Sequence, residues 1–225
     1  MKIAILDDYL DSIFHLPCYE KLAGHDVTIL RQKYDDPADL AGAIGDAEAV
    51  VLFRERTRIT DELLAHLPNV KLISQRSAYP HIDVDACTKR GVLLCSKQGA
   101  GKAPSYAAAE MTWALIMASA RQIVEQNASL KAGQWQMGIG KTLRGRTIGI
   151  LGYGKISRVV AGYAKAFGMN VLVWASEASR KAATDDGLDV AASREAFFAA
   201  PDIITVHMRL TPETRGTITA DDLAR

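Results

Sequence analysis

Cysteine is scarce in this chain. The three present, Cys18, Cys87 and Cys95, are odd in number and fit no metal-ligand spacing, so a disulfide framework and a thiolate metal centre are both excluded. Buried, reduced thiols are the expectation. A dominant charge sign is also missing: 27 Lys and Arg against 26 Asp and Glu leave a net +1, which gives no electrostatic case for nucleic acid or a membrane surface. Long apolar runs are lacking too. The least charged stretch, Ala103 to Ala120, still carries Glu110 and several small polar residues, so no membrane span is expected. MKIAIL opens directly as a strand, with no basic leader or cleavage site, and a cytoplasmic protein is the expectation. What remains is an ordinary globular balance, 48% hydrophobic and 24% charged, over 225 residues, enough for two small domains.

The chain is organised around Arg146 to Lys181. Thr147-Ile148-Gly149-Ile150-Leu151 is an apolar, β-branched run suited to a strand buried on both faces. Gly152-Tyr153-Gly154 punctuates it. From Lys155 the period becomes helical, with Ile156, Val159, Val160, Tyr163, Ala164 and Phe167 forming one apolar stripe that Gly168 ends. Val171 to Trp174 reads as the next strand. Strand, glycine turn, helix and strand make a right-handed βαβ unit. Gly152 permits the tight turn, and Gly154 lets backbone approach a pyrophosphate facing the helix N-terminus. Ser157 stands in the third glycine position and is small enough to keep helix–strand packing. The carboxylate expected near the end of the second strand, to hold a ribose 2′-OH, is replaced by Ala175-Ser176-Glu177 and then Ser179-Arg180-Lys181. Ser176 and Arg180 suit a 2′-phosphate, which favours NADP over NAD. The other reading keeps Arg180 and Lys181 as a solvated helix start, with Glu177 on an NAD ribose.

Before this unit, strands are expected at residues 2–6, 27–30, 49–53, 70–74 and 92–95. Helices fall near 13–22, 36–44, 60–67 and 83–90, with Thr60 as an N-cap. Strands alternating with helices imply a parallel, doubly wound sheet. Gln98 to Pro104 marks a boundary between domains 1–101 and 102–225. A long helix from Ser105 to about Lys131 should follow, with Tyr106, Ala109, Trp113, Ile116, Met117, Ala120 and Val124 on one face. It should be buried on more than one side and closed by Gly133-Gln134-Trp135, with Trp135 in the interior, an interface anchor being the other reading. After the central unit come a short strand at 188–190, a helix at 193–199 capped by Ser193, and a strand at 202–206. That last strand delivers His207 to the carboxyl edge of the sheet, where a cofactor contact and a structural histidine are both open readings.

Four stretches in order now carry a resemblance: Ser77-Ala78-Tyr79-Pro80-His81-Ile82-Asp83, Ala107 to Leu115, Gly152-Tyr153-Gly154-Lys155-Ile156, and Val206-His207-Met208-Arg209-Leu210-Thr211-Pro212-Glu213-Thr214. The chain resembles the D-isomer-specific 2-hydroxyacid dehydrogenases, which include D-3-phosphoglycerate dehydrogenase and glyoxylate/hydroxypyruvate reductase. The resemblance implies an α/β protein of two doubly wound parallel-sheet domains: a flavodoxin-like substrate domain and a Rossmann dinucleotide-binding domain that is incomplete at its C-terminus. It implies an NAD(P)-dependent oxidoreductase interconverting a D-2-hydroxy acid and its 2-keto acid, a homodimer at full length. Backbone N–H groups around Ser77, Ala78 and Tyr79 would hold the substrate carboxylate, and Arg54 could reach the same acid group, a solvated cation being the alternative. Lys155 and Ile156 would face the pyrophosphate, joined by Gly152 and Gly154, with His207, Met208, Arg209 and Thr214 bordering the cofactor. Ala78 and Tyr79 stand where glycines are usual, and Arg209 where proline is common.

In this family the catalytic arginine, acid and acid–base histidine lie beyond the segment matching Asp202–Arg225, and none of the five histidines here fits that motif. No catalytic residue and no metal ligand is therefore assigned within the chain. It is expected to be a C-terminally truncated piece without activity alone, and to associate through the uncovered apolar residues Ile203, Ile204 and Val206. Two other functions share parts of this pattern. A phosphoreceiver would need an aspartate after the third strand, where Phe53-Arg54 stand. An NAD(P)-sensing binding protein of corepressor type keeps the fold without turnover.

Overall fold

The computed structural model describes residues 1–76, 78–96 and 106–225, and the chain divides into two compact units, 1–102 and 103–225. The first unit is a five-stranded parallel sheet. Strands β1 (Lys2–Ile5), β2 (Asp26–Ile29), β3 (Ala49–Leu52), β4 (Leu72–Gln75) and β5 (Leu93–Ser96) lie in the order β2-β1-β3-β4-β5. This is the flavodoxin-like doubly wound order, with its switch point between β1 and β3. Alternation along the strands sends Ala4, Leu6, Val50 and Leu52 to one face and Ile3, Ile5 and Ala49 to the other. The first face is covered by helices α1 (Pro37–Ile44), α2 (Asp61–Ala65) and α3 (Val84–Lys89). Each starts at a side chain that takes up otherwise orphaned N–H groups: Asp36 accepts from Ala38 and Asp39, Thr60 from Leu63, and Asp83 from Ala86.

The segment 13–22 does not form an α-helix. Two 3₁₀ turns, Ile13–His15 and Pro17–Leu22, replace it, because Pro17 lacks the N–H that a continuous helix would need. Asp8 steers the chain into the first turn, accepting from the backbone N–H groups of Ser12 and Ile13 at 3.0 and 3.1 Å. Only Cys87 among the cysteines is buried, and burial pushes its thiol up; Cys18 and Cys95 are exposed, contrary to expectation.

The second unit opens with α4 (Tyr106–Ala120) and α5 (Ile123–Lys131). One long helix was expected, but Gln122 sits at φ +52° between them. The carbonyl of Ala120 accepts from the N–H of Lys141 at 2.6 Å, so a distant segment takes the place of the next helical turn. Ala109 and Ile116 are buried and Trp113 packs edge-on to Phe167, whereas Tyr106, Met111, Leu115 and Val124 are exposed. Among the described residues the helix thus buries one stripe. Trp135 is also a correction: it is 82% exposed, its carbonyl tied to the Ser129 hydroxyl while the indole points outward.

A four-stranded parallel sheet follows, β8-β7-β6-β9, formed by β6 (Thr147–Leu151), β7 (Asn170–Trp174), β8 (Asp189–Val190) and β9 (Ile203–Val206). Helix α6 (Lys155–Ala166) connects β6 to β7, α7 (Glu177–Asp185) connects β7 to β8, and α8 (Arg194–Ala199) leads to β9. Ile148, Ile150, Val160 and Val173 are fully buried between sheet and helix, each contributing about 1.5–3 kcal/mol of burial. Gly168, at φ +70°, ends α6: its N–H reaches the Lys165 carbonyl and that of Met169 reaches Ala164, the paired bonds of a Schellman motif. The apolar run of β9 is better covered than expected. Ile203 packs with the α4 and α6 core and Ile204 with Phe197, Phe198 and Ile218, leaving Val206 exposed.

Candidate functional site

In the second unit the chain runs from β6 to β7 and β8 on one side, then returns to β9 on the other. The tips of β6 and β9 therefore form the switch point, outside which ligands bind in open parallel sheets. Gly152 occupies this point at φ +89°. A Cβ there would lie 3.1 Å from the carbonyl carbon and oxygen of His207 and from Met208 Cγ. The turn is closed by backbone: Gly152 donates to the Trp174 carbonyl and His207 to that of Leu151, both at 2.8 Å. Gly154 is different. It is the N-cap of α6, has no positive φ, and among the described residues no atom beyond its own chain neighbours lies within 4 Å of where its Cβ would be. Having no side chain, it leaves the N-terminal N–H groups of α6 without a cap from its own position, as an anion-binding helix end requires.

Three side chains brace this turn, and sequence reasoning missed their contacts. Ser157 is fully buried and its hydroxyl donates to the Gly152 carbonyl at 2.7 Å, so it does more than substitute for a small glycine. Tyr153 turns inward, donating to Asp186 Oδ2 at 2.6 Å, while Arg158 pairs with the same oxygen and lies 5.2 Å over the phenol ring. Burial and the bond to Asp186 push the Tyr153 phenol well above its usual range. A serine with a free hydroxyl at the third glycine position was the only sequence signal for this bracing.

The other cofactor candidates fall into two groups. Lys155 and Ile156 begin α6 after β6, and His207 and Met208 follow β9, so the four leave the C-terminal ends of two neighbouring strands. His207 Nε2 lies 3.0 Å from the Thr205 hydroxyl, and burial lowers its pKa, favouring the neutral ring. Ser176 and Arg180 lie at the tip of β7. Ser176 is the exposed N-cap of α7 and makes no side-chain cap bond. The Arg180 guanidinium sits over the Trp174 indole, 4.5 Å from its centroid, while Lys181 pairs with Asp185 one turn on. Thr214 is spent within its own loop: its hydroxyl donates to the Arg209 carbonyl at 2.6 Å and accepts from the N–H of Thr211 at 2.8 Å. Met208, Arg209 and Thr214 nevertheless line one cleft of about 260 Å³.

In the first unit, Arg54 follows β3 and Ala78 and Tyr79 follow β4, while Ser77 lies outside the described residues. Arg54 is exposed, with φ +61°, a left-handed backbone that costs a non-glycine residue about 1–2 kcal/mol. Its carbonyl accepts from Gln75 Nε2 at 2.9 Å, and the same nitrogen donates to the Ala78 carbonyl at 3.0 Å. Tyr79 packs partly into the core. On the far side of the Arg54 loop, Asp7 accepts from the Thr57 hydroxyl at 2.8 Å and its carbonyl from Arg56 at 2.7 Å. Both ring nitrogens of His81 are buried without a partner among the described residues. Burial lowers the His81 pKa, opposed by the carboxylates of Glu55 and Asp7. Among the described residues no three His, Cys, Asp or Glu side chains converge as a metal site, and no helix is long and apolar enough to cross a membrane.

The family model for the D-isomer specific 2-hydroxyacid dehydrogenase NAD binding domain matches residues 113–225. The chain is 35% identical over 193 residues to the D-3-phosphoglycerate dehydrogenase of Mycobacterium leprae, covering 84% of this chain and 36% of that protein. It is 34% identical over 176 residues to the glyoxylate reductase of Aeropyrum pernix, covering 74% and 51%. A solved oxidoreductase from Ralstonia solanacearum superposes with a TM-score of 0.94 at 46% identity, over 100% of this chain and 69% of that one. The chain thus spans about a third to a half of the length of these two curated relatives.

Proposed function

Because the chain belongs to the D-isomer specific 2-hydroxyacid dehydrogenase family, we propose that it forms part of an oxidoreductase interconverting a small D-2-hydroxy acid and its 2-keto acid with a nicotinamide cofactor. The observation that carries this reading is the open space at Gly154 on the N-terminus of α6, beside a switch point formed by β6 and β9. Gly154, Lys155 and Ile156 would hold the pyrophosphate, with Gly152 keeping the turn tight against His207 and Met208. The nicotinamide, when bound, supplies or takes the hydride. Arg54 and the loop of Ala78 and Tyr79 would orient the acid group at the first unit's carboxyl edge, together with Ser77. No residue of the chain is assigned the acid–base step.

For the cofactor we favour NADP. Ser176 is exposed beside Arg180, whose guanidinium is held against Trp174 where a 2′-phosphate would need a cation. We take the macromolecular partner to be another copy of the chain: Leu130, Trp135 and Ile139 are exposed and line one groove of about 480 Å³, an apolar surface of the kind that marks an interface. With a net charge of +1, neither nucleic acid nor membrane is a proposed partner, and a cytoplasmic location is proposed.

Initial rates on the full-length protein with glyoxylate, hydroxypyruvate and 3-phosphohydroxypyruvate, each with NADH and NADPH, test both parts. Turnover of at least one keto acid, faster at limiting NADPH than NADH, is expected. Cofactor binding without turnover of any of them would favour the sensing function instead.

A further inference from the structure

Resting on the reading that the first unit takes a 2-keto acid, we propose that Gln75 is a positioning residue: its buried carboxamide fixes the Arg54 loop to the Ala78–Tyr79 loop, so that both address one substrate carboxylate. Gln75 is the last residue of β4 and only 3% exposed. It pairs in register with Leu52, the last residue of β3, so it stands between the two loops that leave neighbouring strands. Both hydrogens of Nε2 are used, one on each loop: 2.9 Å to the Arg54 carbonyl and 3.0 Å to the Ala78 carbonyl.

The chemistry of this position is narrow. One nitrogen must donate twice from the end of a three-carbon reach, which glutamine does and an ionised glutamate or a methionine cannot. The Arg54 carbonyl it holds belongs to a residue at φ +61°, whose peptide plane has no intrinsic reason to stay in that orientation. The far side of the same loop is held by Thr57 and Arg56 on Asp7. Gln75 therefore supplies the hold on the Arg54 side, and it joins that hold to the neighbouring loop. Its Oε1 is buried with no partner among the described residues. An acceptor left unsatisfied in the interior is a poor choice for stability alone, which a residue kept for geometry can tolerate.

The test compares the full-length wild type with Gln75→Met, which keeps length and loses both donors, and with Gln75→Asn, which keeps the amide but falls one methylene short. Two readouts are taken, with the unfolding midpoint and NADPH titration as controls. By amide hydrogen exchange, segments 53–57 and 78–82 should both exchange at least tenfold faster in Gln75→Met, while the rest of the unit is unchanged. By initial rates, KM for the keto acid should rise at least tenfold with the cofactor dissociation constant within twofold, and Gln75→Asn should lie between. Unchanged exchange in the two segments overturns the proposal whether or not the enzyme turns over. Faster exchange with an unchanged KM also overturns it, as does failure of both variants to fold, which would make Gln75 structural. A wild type that reduces none of glyoxylate, hydroxypyruvate and 3-phosphohydroxypyruvate sinks the functional reading instead, and the exchange result still decides the clasp.

Discussion

Gly152 and Gly154 stand two residues apart and are glycines for different reasons. At Gly152 the backbone itself demands it, with φ +89° and the His207 carbonyl 3.1 Å from any Cβ. At Gly154 the backbone is extended and no atom of the described residues crowds a Cβ, so neither strain nor packing calls for glycine; under the proposed function the cofactor does. Gly152→Ala should therefore destabilise the fold by about 2 kcal/mol or more, from the left-handed backbone plus the contact with β9. Gly154→Val should leave stability within about 1 kcal/mol, since β-branched residues suit extended backbone, yet abolish cofactor binding. Chemical denaturation and fluorescence titration with NADPH separate the two; a Gly154→Val protein that binds cofactor like its parent would remove the turn from the site. The glycine spacing was legible because two glycines between a β-branched run and an amphipathic stripe are a local signal, whatever the reason for each. Gln75 was not legible. A polar residue at a strand end has no periodicity, and its partners Arg54 and Ala78 are defined only once β3 and β4 pair. The Tyr153–Asp186 bond joins residues 33 apart and escapes sequence reading for the same reason.

At the scale of elements, the break between α4 and α5 shows where local periodicity misleads. The apolar stripe of α4 continues to Val124, and nothing at Gln122 resembles a helix stop. The stop comes from elsewhere in the chain. Lys141 takes the Ala120 carbonyl, and Gly140, at φ +64°, lets the backbone come close enough to do so: a Cβ there would lie 2.7 Å from that oxygen. Gly140→Ala should force the 138–141 segment off α4 and lower stability by about 2 kcal/mol. Thermal unfolding checks this, and an unchanged midpoint would mean that the segment can dock without the close approach. The short elements fared better. Asp36, Thr60, Asp83 and Ser193 each cap a helix whose start the sequence marks, because a capping side chain and its N–H partner lie within three residues. Trp135 differs the opposite way: a large aromatic defaults to the interior, yet this one is exposed, its backbone carbonyl accepting from the Ser129 hydroxyl.

For the whole molecule, two histidines, one in each unit, set the response to mild acid. Burial lowers the pKa of both His81 and His207. The unfolded chain protonates these rings as pH falls through about 6.5 while the folded protein resists, so the unfolded state binds more protons and stability drops. The contribution is fully present above about pH 6.5 and is lost progressively below it, down to the lowered folded values. The hydrogen-bonded carboxylates, Asp8 and Asp222 among them, are held low and stay charged across this window, so they do not mask the effect. Urea midpoints should fall between pH 7.5 and 5.5, and less so in His207→Gln; a flat profile would show that neither ring is kept neutral by the fold.

The activity proposed above, transfer of a hydride to and from one hand of a 2-hydroxy acid, has a stereochemical signature. The most direct measurement offers the full-length protein the D and L forms of the hydroxy acid corresponding to its best keto acid, one at a time, with NADP or NAD, and follows the nicotinamide absorbance. Where that keto acid is glyoxylate, whose product has no hand, D- and L-glycerate serve instead. Reduction of the cofactor with the D form, and none above background with the L form, is the expected result. Equal rates with both, or turnover of the L form alone, would contradict it.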